Sequence, residues 1–408
     1  MNYKETVEFL YTKLPYFTRD GKSAIKKDLT NTIKLCEVLN NPHLSFKTIH
    51  IAGTNGKGSV SNMLSAVLQN NGYKTGLYTS PHLKDFRERI RVDGEMITEE
   101  YVVDFVERIK PHIETIQPSF FEITVALCFD YFAHNKLDVA IIETGLGGRL
   151  DSTNIISPLL SIITNIGFDH MDLLGNTLPV IAFEKAGIIK KNTPVVIGEI
   201  VPETKSVFLQ KAMEQNAEIY FAEDDINPHS LDGIFDLNGD YQFKNRNTVF
   251  KSLEILSQLG FVIKSNKTKE ALQNVKSLTG FRGRWDVLSQ EPKIIADTGH
   301  NIDGIKFIIN QLKSETYNQL HMVIGMVKDK DRKAILELLP KEAKYYFCCP
   351  NIPRGFESQL LEQEARELGL NGYSYPSVEA ALNSAKNKAQ NTDLIFIGGS
   401  TFVVAEII

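Results

Sequence analysis

Residues 46–72 read F-K-T-I-H-I-A-G-T-N-G-K-G-S-V-S-N-M-L-S-A-V-L-Q-N-N-G. Residues 48–52 are a short apolar run closed by glycine, which predicts a strand. Val60, Met63, Leu64, Val67 and Leu68 then recur at i, i+3, i+4, i+7 and i+8, the spacing of a helix with one buried face. Gly72 follows the last periodic residue and is the predicted C-cap. Between strand and helix lie Gly53, Thr54, Asn55, Gly56, Lys57, Gly58 and Ser59, a loop whose backbone N–H groups can wrap a phosphate at a helix N-terminus. The fit to G-x-x-x-x-G-K-[ST] is imperfect, because Ile51 stands where the first glycine belongs and Gly58 separates Lys57 from Ser59. Three glycines alone would suit a turn with no ligand. Lys57 with Ser59, after a strand and before a helix, is what points to phosphate.

A chain of 408 residues implies two domains, and 42% hydrophobic content supplies cores for both. The 45 basic residues against 50 acidic ones give a net charge of −5, with no dense basic block, so nucleic acid is not an expected partner. A small molecule is. Residues 1–17 carry Lys4, Glu5, Glu8 and Lys13 among apolar residues, which suits an amphipathic helix and not a signal peptide. No apolar run reaches the length of a membrane span, so the expected location is the cytoplasm and no membrane partner is expected. Cys36, Cys128, Cys348 and Cys349 lack metal-type spacing and read as buried free thiols.

Downstream, a strand over residues 75–79 runs into Ser80-Pro81-His82, and strand ends in α/β sheets are where ligands bind. Residues 84–97 form a charged loop and hairpin, in which Arg87, Arg89 and Arg91 either meet an anionic substrate or decorate the surface. A helix over residues 120–133 carries Phe121 and Glu122. The strand at 138–143 delivers Glu143 to the C-terminal edge of the sheet, where phosphate-loop enzymes hold magnesium. The next strand, 159–164, leads to Asp169-His170, and Lys185 sits on a short helix beyond it. Strand and helix alternate as in a doubly wound parallel sheet.

A helix at 203–215, turn residues at 224–232 and helices at 247–259 and 268–278 follow. After G-F-R-G-R-W-D-V at 280–287 the alternation restarts, with strands at 294–297, 322–325, 345–349 and 394–398. The expected architecture is an α/β chain: a phosphate-loop, doubly wound parallel-sheet ATPase domain over residues 1–284, then a smaller Rossmann-like α/β domain over 285–408. The second domain's first strand delivers Asp297, His300 and Asn301 to its own C-terminal edge.

In G-T-N-G-K-G-S at 53, T-S-P-H-L at 79, F-F-E at 120, E-T-G-L-G-G-R-L-D-S-T-N at 143, D-H at 169, E-K-A-G-I at 184, D-T-G-H-N at 297, G-M-V-K-D-K-D at 325, P-R-G at 353 and G-G-S at 398, the chain resembles the dihydrofolate synthase/folylpolyglutamate synthase ligases, relatives of the muramyl ligases. T-S-P-H-L and G-L-G-G-R-L-D-S-T-N resemble the folate branch more than the muramyl one. The resemblance implies an ATP-dependent amide ligase. The γ-phosphate passes to a pteroate or folate carboxylate, the amine of L-glutamate attacks the acyl phosphate, and ADP and phosphate leave.

The resemblance also implies roles for single residues. Lys57 contacts the β and γ phosphates. Gly53, Thr54, Asn55, Gly56, Gly58 and Ser59 hold the phosphates, and Ser59 also holds a magnesium ion. Ser80, Glu143 and His170 ligate a second magnesium. Lys185 matches a lysine that is often carbamylated. Asn245, Arg284, Asp297 and His300 contact ATP across the domain cleft, and Arg89, Phe121 and Asn154 line the folate pocket. Catalysis then rests on Lys57, His170 and Lys185, in an enzyme expected to be a monomer.

Tyr241-Gln242 stands where the family usually has His-Gln, Arg282 where it has proline, and D-T-G-H-N-I where it has D-x-A-H-N-P. These bear on nucleotide contacts, not on the reaction class. A muramyl-type ligase acting on a UDP-sugar needs an extra N-terminal domain, for which the segment ahead of residue 48 is too short. A nucleotide switch needs N-K-x-D after a strand, which the chain lacks.

Overall fold

The computed structural model describes the chain apart from residues 25, 27 and 225–234 and the side chains of residues 18 and 22. The turn cluster expected at 224–232 lies outside the described residues from 225 onward. Two compact units divide the chain: Met1–Leu237 with Gln242–Phe281, and Asn238–Tyr241 with Arg282–Ile408. The break expected at 284/285 thus lies at Phe281/Arg282. Residues 282–286 belong to the second unit because Trp285 N donates to Asp297 Oδ2 at 2.8 Å and Thr298 N to the Gly283 carbonyl at 3.0 Å.

Among the described residues the first unit holds eight strands: β1 (Lys47–Ala52), β2 (Thr75–Tyr78), β3 (Ile90–Val92), β4 (Glu95–Met96), β5 (Val139–Glu143), β6 (Leu160–Ile163), β7 (Val195–Ile197) and β8 (Ile219–Phe221). Their order is β4-β3-β2-β5-β1-β6-β7-β8, parallel except for the β3–β4 hairpin at one edge. Strands β1, β2, β5 and β6 are buried on both faces apart from Lys47, which is why they read as unbroken apolar runs and not as alternating ones. The short edge strand β8 was not anticipated, because Ile-Tyr-Phe is too brief to separate from its surroundings.

The helix after β1, Lys57–Asn70, is buried all round from Ser59 to Leu68, not along one face. One side packs on β2 and β5, the other on helices Gln242–Gln258, Ser265–Leu272 and Val275–Thr279. The last two replace the single helix expected over 268–278, and the break comes at Gln273 and Asn274. Asn71 is the C-cap, and Gly72 just beyond it takes φ +95°. On the opposite face, helix Phe120–Asn135 covers Tyr78, Ala140 and Ile142 in one apolar cluster with helices Tyr3–Lys13 and Glu99–Ile116. Glu99–Ile116 keeps Pro111 within it.

The second unit has β9 (Asp286–Gln290), β10 (Lys293–Ala296), β11 (Leu320–Gly325), β12 (Lys344–Cys348), β13 (Gly372–Ser374) and β14 (Leu394–Gly398), in the order β13-β12-β11-β14-β10-β9. All pair in parallel except β9, which runs antiparallel to β10. Cys36, Cys128 and Cys348 are buried free thiols; Cys349, past the end of β12, is partly exposed. Among the described residues no helix is long and apolar enough to cross a membrane.

Candidate active site

Four adjacent parallel strands bring the predicted groups of the first unit to one edge. Ile51 of β1 lies beside Glu143 of β5, Tyr78 of β2 beside Ile142, and Ala52 beside Ile163 of β6. The loop after β1, Ser80 after β2, Glu143 at the end of β5 and the 164–170 segment after β6 therefore leave the sheet side by side, the edge where α/β sheets bind ligands.

Glycine is required at two places in the loop. Gly53 sits at φ +151°, where a Cβ would lie 1.9 Å from Thr164 Oγ1, and Gly56 at φ +85°, where a Cβ would meet Asn245 Oδ1 at 2.3 Å. The loop is then clamped from the β6 side. Thr54 N donates to the Asn165 carbonyl at 3.0 Å, Asn55 N to Asn165 Oδ1 at 2.8 Å, and Thr164 Oγ1 to the Asn55 carbonyl at 2.6 Å. Ser59, 1% exposed, accepts from Gln242 Nε2 at 3.1 Å, and Gln242 Oε1 accepts from Asn245 Nδ2 at 2.9 Å. Asn165, Thr164 and Gln242 are thus loop-setting residues that the spacing rules did not single out; the signal for Thr164 and Asn165 was their place just after the neighbouring strand, whereas Gln242 opens a distant helix and gave none.

Two lysines converge on one carbonyl. Lys57 Nζ donates to the Gly53 carbonyl at 3.0 Å and to the Thr54 carbonyl at 3.3 Å, and Lys185 Nζ donates to the same Gly53 carbonyl at 2.8 Å. Lys185 is 4% exposed, at the end of helix Leu178–Ala186. Burial, and then the charge of Lys57, push its amine down to about 7, against the smaller opposing pull of Asp169 and Asp151.

Glu143 is buried, with its carboxylate on the side of the phosphate-loop helix, close to Gly58. His170 takes φ +49°, its Nε2 lies 3.8 Å from Asp169 Oδ2, and its ring meets Phe17 edge-on with centroids 6.1 Å apart. Among the described residues no three His, Cys, Asp or Glu side chains form a metal cage. The donors at this edge are two serine hydroxyls, a carboxylate and an imidazole. Three hard oxygen donors and one imidazole nitrogen, too few to enclose an ion, fit a magnesium ion that completes its shell with phosphate oxygens and water.

The expected folate-pocket residues separate. Phe121 lies against the loop after β5, where a Cβ on Gly145 would meet its ring at 2.4 Å. Asn154 is buried: Nδ2 donates to the Arg149 carbonyl at 3.0 Å and the Gly187 carbonyl at 3.1 Å, tying two loops together, while Oδ1 is sealed without a partner. Of the three hairpin arginines, Arg87 pairs with Asp85 at 2.7 Å and Arg91 donates to the Gly94 carbonyl at 2.9 Å. Arg89 makes neither kind of contact. Its Nε donates to His82 Nδ1 at 2.7 Å, and it lies over the Phe120 ring at 5.3 Å. Asp151, not anticipated as a site group, accepts from Leu146 N at 2.8 Å and Thr153 Oγ1 at 2.5 Å; burial still raises its carboxyl above the usual range.

In the second unit Asp297 is 2% exposed and saturated: Oδ2 accepts from Tyr241 Oη at 2.7 Å and Trp285 N at 2.8 Å, and Oδ1 from Gly299 N at 2.7 Å. Tyr241, in the position where the resembled family carries histidine, therefore holds the carboxylate. His300 Nδ1 lies 2.9 Å from the Thr298 carbonyl, and Arg284 Nη1 donates to the Gly283 carbonyl at 3.3 Å. Asn301 caps helix Ile302–Ser314.

Comparison with known proteins matches residues 51–259 to the Mur ligase middle domain and 283–401 to the Mur ligase, glutamate ligase domain. The dihydrofolate synthase/folylpolyglutamate synthase of Bacillus subtilis (strain 168) is 30% identical, covering 99% of this chain and 98% of its own. The chain belongs to this family. It is also 31% identical to a probable bifunctional folylpolyglutamate synthase/dihydropteroate synthase of Haloferax volcanii, covering 100% of this chain and 50% of that protein. Among solved folds of the family, E. coli FolC in complex with DHPP and ADP superposes with a TM-score of 0.88 at 27% identity, covering 100% of this chain and 97% of that one. A bifunctional folylpolyglutamate synthase/dihydrofolate synthase with Mn, AMPPNP and L-glutamate bound gives 0.86 at 27%, with the same coverage.

Proposed function

We propose that the chain is an ATP-dependent carboxylate–amine ligase that adds L-glutamate to dihydropteroate and to (poly)glutamylated tetrahydrofolate through an acyl phosphate, releasing ADP and phosphate. The observation that carries this reading is the convergence of Lys57 and Lys185 on the Gly53 carbonyl, inside a clamped glycine loop and next to the Glu143 strand end. Phosphoryl transfer asks a protein chiefly for positioning and charge, and these groups supply both.

In this reading Gly53, Thr54, Asn55, Gly56, Gly58 and Ser59 present N–H and hydroxyl groups to the phosphates. Lys57 exchanges its loop carbonyls for the β and γ oxygens. Glu143, Ser80 and His170 hold magnesium, with Ser59 on a second ion; bound there, the metal would offset phosphate charge. Lys185, whose lowered pKa favours the neutral amine, can add carbon dioxide and release one proton, so that the neutral amine becomes an anion beside Lys57. Arg89 and Phe121 face the folate, whereas Asn154 shapes the pocket wall through the backbone. Asn245, Arg284 and His300 serve the nucleotide, Asp297 by fixing residues 241, 285 and 299, and the second unit takes the glutamate. In this reading the protein is a monomer acting on small molecules in the cytoplasm.

The test is phosphate release from ATP with magnesium and L-glutamate, offering dihydropteroate, tetrahydrofolate or a UDP-muramyl peptide separately. Turnover with both pterins is expected. Turnover with one alone narrows the activity, and preference for the UDP-sugar overturns the substrate class.

A further inference from the structure

Arg89 is 4% exposed, and no ion pair among the described residues includes it. Its terminal nitrogens make no hydrogen bond to the described protein, and neither is among the sealed polar atoms without a partner, so the outer edge of the guanidinium meets the remaining opening. A buried cation with no counter-charge is costly unless a ligand supplies one. Its Nε–H can only donate, so the bond to His82 Nδ1 makes that nitrogen the bare one. The imidazole proton is then on Nε2, 3.2 Å from Tyr11 Oη, and points at that oxygen. Tyr11 belongs to helix Tyr3–Lys13, and its ring lies 5.3 Å from that of Phe120, the same ring that Arg89 covers. The tautomer, the ring plane and the guanidinium are thus set by one chain of contacts, Tyr11 to His82 to Arg89.

We propose that His82, oriented by Tyr11, is a positioning residue that holds Arg89 for the carboxylate of the pterin substrate, the group to be phosphorylated or its glutamyl extension. This rests on the folate-ligase reading above. In that reading Lys57 and the loop backbone serve phosphate; Arg89 is the one hairpin arginine whose terminal nitrogens are left for a planar, bidentate anion.

Steady-state kinetics of the full-length protein and its variants test it. His82→Leu removes the acceptor, and is expected to raise the pterin KM about tenfold with kcat changed less than about threefold and the KM for ATP and glutamate unmoved. His82→Asn, which can place Oδ1 where Nδ1 was, should recover most of that loss. Tyr11→Phe, a single hydroxyl removed, should raise the pterin KM about threefold. His82→Leu should add nothing once Arg89→Met is present, because the two act as a unit. An unchanged pterin KM, an equal loss with all three substrates, or no difference between the Leu and Asn variants overturns the proposal. A wild type that turns over neither pterin overturns the ligase reading instead. The clasp is then judged by the 15N imidazole spectrum of His82, where an Nε2–H tautomer lost in Arg89→Met upholds it and an Nδ1–H tautomer overturns it.

Discussion

The C-terminal edges of the two sheets use charge in opposite ways. In the second unit the Asp297 carboxylate receives three donors from its own chain and acts as a clasp joining residues 241, 285 and 299. In the first unit Lys57, Lys185 and Arg89 have carbonyls or a neutral imidazole as partners, and no carboxylate. A saturated charge fixes a fold; a charge left with neutral partners keeps its Coulomb energy for something that arrives later. The first edge is built for anions. The second is built around one.

Substitutions can break that contrast. Lys57→Ala is expected to lower pterin-dependent phosphate release about a thousandfold while barely moving the melting temperature, since a group poised for phosphate carries transition-state charge and little folding energy. Rapid-quench or coupled phosphate assays with a thermal melt decide it; a large drop in melting temperature would place Lys57 on the structural side of the comparison.

Lys185→Met should cost about a hundredfold in kcat. For the wild type, activity should climb as pH rises through about 7, and bicarbonate should raise it, because only the neutral amine takes up carbon dioxide. Stability follows pH in the same direction. The folded-state pKa of Lys185 lies below its unfolded value, so the unfolded chain binds more protons between about pH 7 and 10.5, and stability falls as pH drops through that window. Lys185→Met should therefore raise the melting temperature at pH 7 while it abolishes the pH step in activity, and a lowered melting temperature would show that the amine is structural.

Gly53→Ala combines a strained φ with a Cβ 1.9 Å from Thr164 Oγ1, and should destabilise the first unit by about 2–3 kcal/mol in chemical denaturation. Asp297→Asn turns an acceptor of three donors into a group with only one oxygen. A loss of about 2 kcal/mol is expected, with the pterin KM unchanged. If Asp297→Asn leaves stability intact and raises the KM for ATP, the second edge is a ligand site of the same kind as the first.

How legible each edge was follows from the same physics. The strands of the first unit could be read because burial on both faces makes them continuous apolar runs, and the glycine loop because only glycine meets its backbone demands at residues 53 and 56. The Lys57–Lys185 convergence could not be read, since it depends on two elements more than a hundred residues apart meeting at one carbonyl. Resemblance supplied Lys185; periodicity alone saw a lysine on a short helix. Spacing alone did not separate the three hairpin arginines; resemblance singled out Arg89, and their partners give a physical difference, a paired Arg87 and a tethered Arg91. Asn154 shows the reverse: a polar residue in a glycine-rich motif whose amide turns back to two carbonyls. The all-round burial of Lys57–Asn70 was missed because Ser61, Asn62 and Ser65 look solvent-facing, yet small polar side chains fit between helices when they bond locally, as Asn62 does to the Gly58 carbonyl at 2.7 Å.

The central claim, that the first edge transfers a phosphoryl group to a carboxylate, is tested most directly by isotope. Dihydropteroate carrying 18O in its carboxylate is turned over with ATP and L-glutamate, and the released phosphate is weighed by mass spectrometry. If the acyl phosphate forms, one labelled oxygen leaves the carboxylate with each phosphate, and Lys57→Ala abolishes its release. Phosphate that carries no label would mean that water, not the pterin carboxylate, takes the γ-phosphate, and the account would fail.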